Sequence, residues 1–259
     1  MIRFGPAGLG GVKDAISNLE NYAKLELKAC EIAFTYSIYI KPEQTKPIKQ
    51  AAEKLGIKLS IHSPYWMNLN SKDKDKKEKS KQRILKCCEL GELLGVEKVI
   101  FHPGYYGKMN KDETCENIKK AIIELQDKIK EKKWKVKLVA ETAGKINVFG
   151  SVDEILRLVK ETGCLFCIDF AHVYARNKGK IDYKEVYDKF KEFPSLHCHF
   201  SGIKYGEKGE KSHELTNEAE LKKLLSVLPR NKDITIINES PDPIGDSVKG
   251  LKTSKTLGF

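Results

Sequence analysis

The chain has 259 residues, 32% of them charged, and a formal net charge of +11. No run of about 20 apolar residues occurs, so no membrane-spanning helix is expected. Its seven cysteines are an odd number set mostly in apolar or helical contexts (Cys30, Cys87, Cys88, Cys198), which argues for reduced, buried thiols rather than a disulfide framework.

The basic surplus suits a polyanion such as DNA or RNA. It equally suits a lysine–glutamate surface of the kind found in heat-stable proteins. The opening Met-Ile-Arg-Phe-Gly lacks the basic-then-apolar layout of a signal peptide, so a cytoplasmic protein is the expectation. No linker interrupts the sequence, and one domain over residues 1–259 is expected.

Ile2–Gly5 reads as a first strand. The glycines of the following loop do not fit the dinucleotide spacing G-x-G-x-x-G. Val12–Leu25 is helical, Ala29–Phe34 a strand, and Pro42–Leu55 a helix stopped by Gly56. Ile57–Ile61 is a strand ending at His62; the amphipathic Lys74–Leu94 is a helix ending at Gly95. The strand Lys98–Phe101 leads to His102-Pro-Gly, and Asp112–Lys132 is helical. Val136–Ala140 is a strand ending at Glu141, and Ser151 caps the helix Val152–Glu161. The strand Leu165–Ile168 ends at Asp169, with His172 just beyond and the helix Tyr183–Phe190 after it. Leu196–Phe200 carries His197 and His199, Asn217–Leu228 is a helix, and Ile234–Asn238 ends at Glu239.

This alternation predicts a parallel sheet, and eight strands in this length fit a closed (β/α)8 barrel. Every strand but the last is followed by a clear helix. In such a barrel the C-terminal strand ends meet at one mouth, where active sites are built. His62, His102, Glu141, Asp169, His199 and Glu239 would converge there, with His172 at the rim. Five of the six histidines fall on or beside this mouth, and the sixth, His213, lies in the loop after strand seven. Imidazoles and carboxylates together suit zinc or a similar metal, and the donors outnumber what one tetrahedral ion needs. His197 lies deeper and reads as structural. Cys164 and Cys167 form a C-x-x-C, but residues three apart in a strand face opposite sides and cannot share a metal.

The stretch His62-Ser-Pro-Tyr-Trp-Met-Asn-Leu-Asn70 resembles the His-x-x-Tyr-x-x-Asn-Leu motif of endonuclease IV, the type 2 apurinic/apyrimidinic endonucleases. Phe101-His-Pro-Gly104, Glu141-Thr-Ala-Gly144 and Ile168-Asp-Phe-Ala-His172 are similar to that family's next three motifs, in the same order; Arg3-Phe-Gly-Pro-Ala-Gly8 also matches members. The resemblance implies zinc-dependent hydrolysis of a DNA phosphodiester 5′ to an abasic site. Two or three ions are implied, with manganese as an alternative metal. It places His62 and His102 on one ion, Glu141 as the catalytic bridge, and Asp169, His199 and Glu239 on a second. His172 would belong to a third. The family's Asp-Arg-His appears here as Lys211-Ser-His213, so His213 is present and the acid is not; Glu210, one residue earlier, offers a carboxylate in its place. The Glu141 motif is one residue shorter than usual, and His199-Phe-Ser-Gly202 replaces His-Leu-Asn-Asp.

Tyr65 and Trp66 either help fill the gap left by a missing base or pack under the loop. No membrane or obligate protein partner is inferred. A rival reading is a one-metal sugar isomerase or epimerase on the same barrel, using Glu141, Asp169, His199 and Glu239. It leaves His62, His102 and His172 unexplained. A third is a DNA-binding protein whose site has decayed.

Overall fold

Strands and helices alternate along the chain, all of which, residues 1–259, is described by a computed structural model. In order the elements are β1 (Ile2–Pro6), α1 (Ala15–Lys24), β2 (Ala29–Ala33), α2 (Pro42–Leu55), β3 (Lys58–His62), α3 (Lys74–Leu94) and β4 (Lys98–Phe101). Then come β5 (Gly104–Tyr105), α4 (Lys111–Glu131), β6 (Lys137–Glu141), β7 (Val148–Phe149), α5 (Val152–Thr162), β8 (Leu165–Asp169), α6 (Phe170–Arg176) and α7 (Tyr183–Phe190). The last are β9 (Ser195–Phe200), β10 (Gly202–Gly206), β11 (Gly209–Glu214), α8 (Glu218–Val227), β12 (Asp233–Asn238) and α9 (Pro243–Thr256).

Local chemistry sets the helix ends. Asp73, Asn110, Ser151, Asp182 and Asn217 each accept a backbone N–H of the first turn. Ser151 and Glu154 form a reciprocal capping box. Gly56 and Gly95 end α2 and α3 in the left-handed region, at φ 65° and 71°.

Eight strands form one parallel sheet in the order β1-β12-β9-β8-β6-β4-β3-β2. β1 and β2 close it: Gly8 N donates to Glu31 O at 2.8 Å and Lys28 N to Phe4 O at 3.2 Å. The seam requires glycine at position 5, where a Cβ would lie 1.9 Å from the Ala29 carbonyl oxygen. This is a (β/α)8 TIM barrel.

Period two along each strand sorts the side chains. Outward residues such as Cys30, Ile32, Ile61, Val99, Phe101, Leu138, Ile168, Cys198 and Ile236 join the helices in the main apolar core. The inward set begins low in the barrel with Glu31, Ser60, Ile100, Val139, Cys167, His197 and Thr235. It ends at the mouth with His62, His102, Glu141, Asp169, His199 and Glu239. Cys167 thus faces the interior while Cys164 joins the outer core.

Three features differ from the sequence-based expectation. A ninth helix, α9, follows the last strand. Its Gly, Ser and Thr content hides it, yet Asp242 caps it, and Gly250 lets it lie against Phe4, whose Cε1 would be 2.6 Å from a Cβ there. The region after β9 is not a bare loop but the hairpin β10–β11. Its short, alternating polar strands carry little apolar signal. Finally, α6 starts directly from β8, which puts His172 inside the site rather than on its rim, at 4% exposure.

Candidate metal centre

Glu141 stands at the C-terminal end of β6, fully buried, with four imidazoles around it. His62 Nε2 is 2.8 Å and His102 Nε2 3.3 Å from its Oε2. His199 Nδ1 is 3.0 Å and His172 Nδ1 3.5 Å from its Oε1. Asp169, at the end of β8, accepts the His172 backbone N–H through Oδ1 at 2.7 Å, and its Oδ2 lies 3.2 Å from His172 Nδ1. Glu239, one residue past β12, is 3.6 Å from His199 Nδ1 and 3.7 Å from His213 Nε2. No lysine or arginine pairs with Glu141, Asp169 or Glu239.

At the mouth the donors fall into three overlapping groups, each with its ligand atoms within 4.8 Å of one another, and a fourth group lies deeper. The three at the mouth are His62, His102 and Glu141; then Glu141, Asp169, His199 and Glu239; then Asp169, His172, His213 and Glu239. Glu210 is not among them, but its Oε2 approaches His172 Nε2 to 3.6 Å. His197 turns away, to Glu31. Tyr65 and Trp66 sit beside the mouth, 47% and 38% exposed, in a cluster with the 71% exposed Tyr36.

Divalent ions of the zinc type fit these donors. Asp169 Oδ2 is buried with no hydrogen-bond partner, and three carboxylates converge with only imidazoles to offset them. Several imidazoles are already oriented as ligating histidines are, with one nitrogen tied outside the donor group. His62 Nδ1 donates to Ser63 O at 2.7 Å, His172 Nδ1 to Thr142 O at 3.0 Å, and His213 Nδ1 is bonded to the Ser201 hydroxyl at 2.7 Å.

The electrostatics are those of a site prepared for cations. Burial works against charge on His62, but Glu141 overrides it and pushes its pKa up to about 9. Burial likewise opposes charge on His172, and Asp169, with Glu210 and Glu141, raises it to about 9. His102 goes the other way, down to about 4, because burial outweighs Glu141 at its longer separation. Glu141 stays well below the usual carboxylate range despite burial, held there by His102, His199 and His62. Burial raises Glu239.

Several supporting residues escaped the sequence reading. Asn70 Nδ2 donates to Tyr105 O at 2.8 Å, while Asn68 Oδ1 accepts from Tyr105 N at 3.2 Å, locking the His62 loop to the His102 loop. Arg176 Nη1 donates to the carbonyls of Ala143, Lys145 and Val148 at 3.3, 2.6 and 2.9 Å, clamping the loop after Glu141. The β10–β11 hairpin leans on that loop: Glu210 N donates to Gly144 O at 3.1 Å. A Cβ at Gly144 would lie 2.7 Å from Glu210 Cβ. Backbone carbonyls as partners leave no residue-type signature; the one signal in the sequence is a lone arginine, Arg176, just past the Asp169 motif.

The sequence profile of the xylose isomerase-like TIM barrel family matches residues 19–256. The chain belongs to that family. It is 36% identical to an uncharacterized protein of Methanocaldococcus jannaschii, over 99% of this chain and 98% of that one. It is 27% identical to an apurinic-apyrimidinic endonuclease of Caenorhabditis elegans, over 93% of this chain and 66% of that protein. Among solved structures, a D-tagatose 3-epimerase-like protein superposes with a TM-score of 0.73 at 20% identity, covering 98% of this chain and 97% of that one. Endonuclease IV from Thermus thermophilus superposes with a TM-score of 0.69 at 20% identity, covering 98% of each chain. At these identities the two structures speak for the fold alone.

Proposed function

We propose that the protein is a metal-dependent endonuclease that hydrolyses the DNA phosphodiester 5′ to an abasic site and leaves a 3′-hydroxyl. The observation that carries this reading is the presence of three overlapping donor groups at one mouth, linked through Glu141, Asp169 and Glu239. His62 and His102 would hold one ion with Glu141, and Asp169, His199 and Glu239 a second, shared with Glu141. His172 and His213 would serve a third, with Glu210 close enough to add a carboxylate. Zinc is the metal these donors favour. Bound there, such ions supply Lewis acidity toward phosphate oxygens and lower the pKa of water toward neutrality.

The chain's own residues do the rest. Glu141 would supply negative charge to both ions, and its oxygens could accept a hydrogen bond from a water. Lys145 lines a slot with His102, Tyr65, Tyr105 and Glu210, and forms no ion pair there, so its charge could meet a flanking phosphate. The Tyr36–Tyr65–Trp66 cluster offers an aromatic surface to a gap in a base stack. The endonuclease relative and the basic net charge support a DNA substrate.

A second reading has one observation in its favour. Glu141, Asp169, His199 and Glu239 form a complete one-metal group, and epimerases share the barrel. As a sugar epimerase the protein would have no use for His62, His102, His172 and His213. The two readings part on metal content and on substrate. Two or three tightly bound ions with cleavage of abasic DNA support the endonuclease. One ion, with turnover of a ketose and no incision, would replace it with the epimerase.

A further inference from the structure

Below the donor layer lies a buried acid that the proposed chemistry does not use. Glu31, in the middle of β2, is fully buried and pairs with no lysine or arginine. Its Oε2 accepts from Ser60 Oγ at 2.6 Å and from His197 Nε2 at 3.0 Å. Its Oε1 lies 2.9 Å from His199 Nε2, close enough for a proton to pass between them, and both atoms are buried without a hydrogen bond. Burying a carboxylate is costly unless imidazoles or other donors compensate it. Here the compensation comes from the two histidines of β9, and only one of them is a proposed ligand.

We propose that Glu31 is a positioning residue for the metal centre: it takes the Nε2–H of His199 and so presents Nδ1 of that ring to the ion held by Glu141 and Glu239. This inference rests on the metal reading above. A neutral imidazole carries one N–H. His199 lies between carboxylates on both sides, Glu31 at Nε2 and Glu141 at Nδ1. Without Glu31 the proton is free to settle on Nδ1, toward Glu141, and that tautomer cannot ligate from Nδ1. With Glu31 the proton belongs on Nε2, as in the carboxylate–histidine–metal arrangement that fixes ligating rings elsewhere. Ser60 and His197 in turn hold the carboxylate from below. His197 and Ser60 also line a cavity of about 300 Å³ at the opposite end of the barrel, with Lys98 and Thr235, so the support layer meets water from that side while His199 stays sealed.

The competing use of this layer is an ion of its own. Cys167, His197 and His199 offer donor atoms within 4.8 Å of one another. An ion there would take His199 Nε2 away from Glu31.

Three measurements on the full chain decide. Long-range ¹H–¹⁵N spectra of the zinc-loaded, histidine-labelled wild type should show His199 protonated on Nε2 and bare on Nδ1. Competition with a chromophoric chelator should show Glu31→Gln binding one ion about 10- to 100-fold more weakly, with the remaining ions and the circular dichroism unchanged. A His199 lacking its Nε2 proton would overturn the proposal, and needs no variant to fold. Equal zinc affinity in Glu31→Gln and wild type would overturn it too. So would a thiolate-to-cobalt charge-transfer band on cobalt loading, since Cys167 would then be a ligand. Wild type that takes up no metal at all would remove the metal reading itself, an outcome distinct from the other three.

Discussion

Glu141 and His213 sit at opposite ends of a scale of commitment. Glu141 has imidazoles at 2.8, 3.0 and 3.3 Å and no exposure, whereas His213 Nε2 is 3.7 Å from Glu239 at the end of an added hairpin. Glu141→Gln keeps shape and removes the charge proposed to bridge two ions, so abasic-DNA incision should fall by about 10²-fold or more while DNA binding persists. His213→Ala should cost less. Steady-state incision by the three proteins on one duplex checks this; a defect in His213→Ala as deep as in Glu141→Gln would make the third donor group as important as the first two. The raised histidines give a second test. Against burial, Glu141 pushes His62 up to about 9, and Asp169 with Glu210 and Glu141 does the same for His172, above the ordinary 6.5. Their charge-state contribution to stability is therefore full below about pH 6.5 and is lost as pH rises through about 9. Ligation needs the neutral rings, so zinc uptake at pH 7.5 should release protons, and the release should fade above about pH 9. Calorimetric titration in buffers of different ionisation enthalpy reads this directly, and zero release at pH 7.5 would contradict it.

The period-two rule made the strands readable as elements. His62, Glu141, Asp169 and His199 fall on the inward parity of strands whose other residues are plainly apolar, so both the barrel and the ring of imidazoles and carboxylates at its mouth were legible in the residues alone. The elements that stayed hidden lack that contrast. The hairpin β10–β11 has only Ile203 and Tyr205 as large apolar residues, and α9 buries Ser247, Gly250, Thr253 and Ser254 rather than large apolar groups. Glu31 was passed over because a single acid in Ala-Cys-Glu-Ile-Ala looks like an interruption of a strand. Its partners come from β3 and β9, far away in sequence. The β1–β2 seam is an element-level claim that can be broken at one atom. Gly5→Ala would press a methyl group into the Ala29 carbonyl. It should cost about 1–3 kcal/mol, the range for overpacking, read from the urea midpoint. A midpoint equal to wild type would show that the seam is looser than drawn.

At the scale of the whole molecule, the barrel is shared by epimerases and endonucleases, so the fold does not choose between them. The choice rests on how many donors the mouth collects and on the chain's net charge of +11. If lysines contact phosphates, duplex affinity should drop steeply as salt rises from low to physiological, through counterion release. Fluorescence anisotropy across that range would show it, and a flat profile would mean the charge serves another purpose. The most direct test of the central claim is incision of a duplex carrying one abasic analogue, before chelation, after chelation, and after zinc is restored. The account predicts a single cut on the 5′ side of the lesion, abolished by chelation and recovered with zinc. A chelated protein that cuts as fast as the untreated one, or a zinc-loaded protein that leaves the duplex intact, would contradict it.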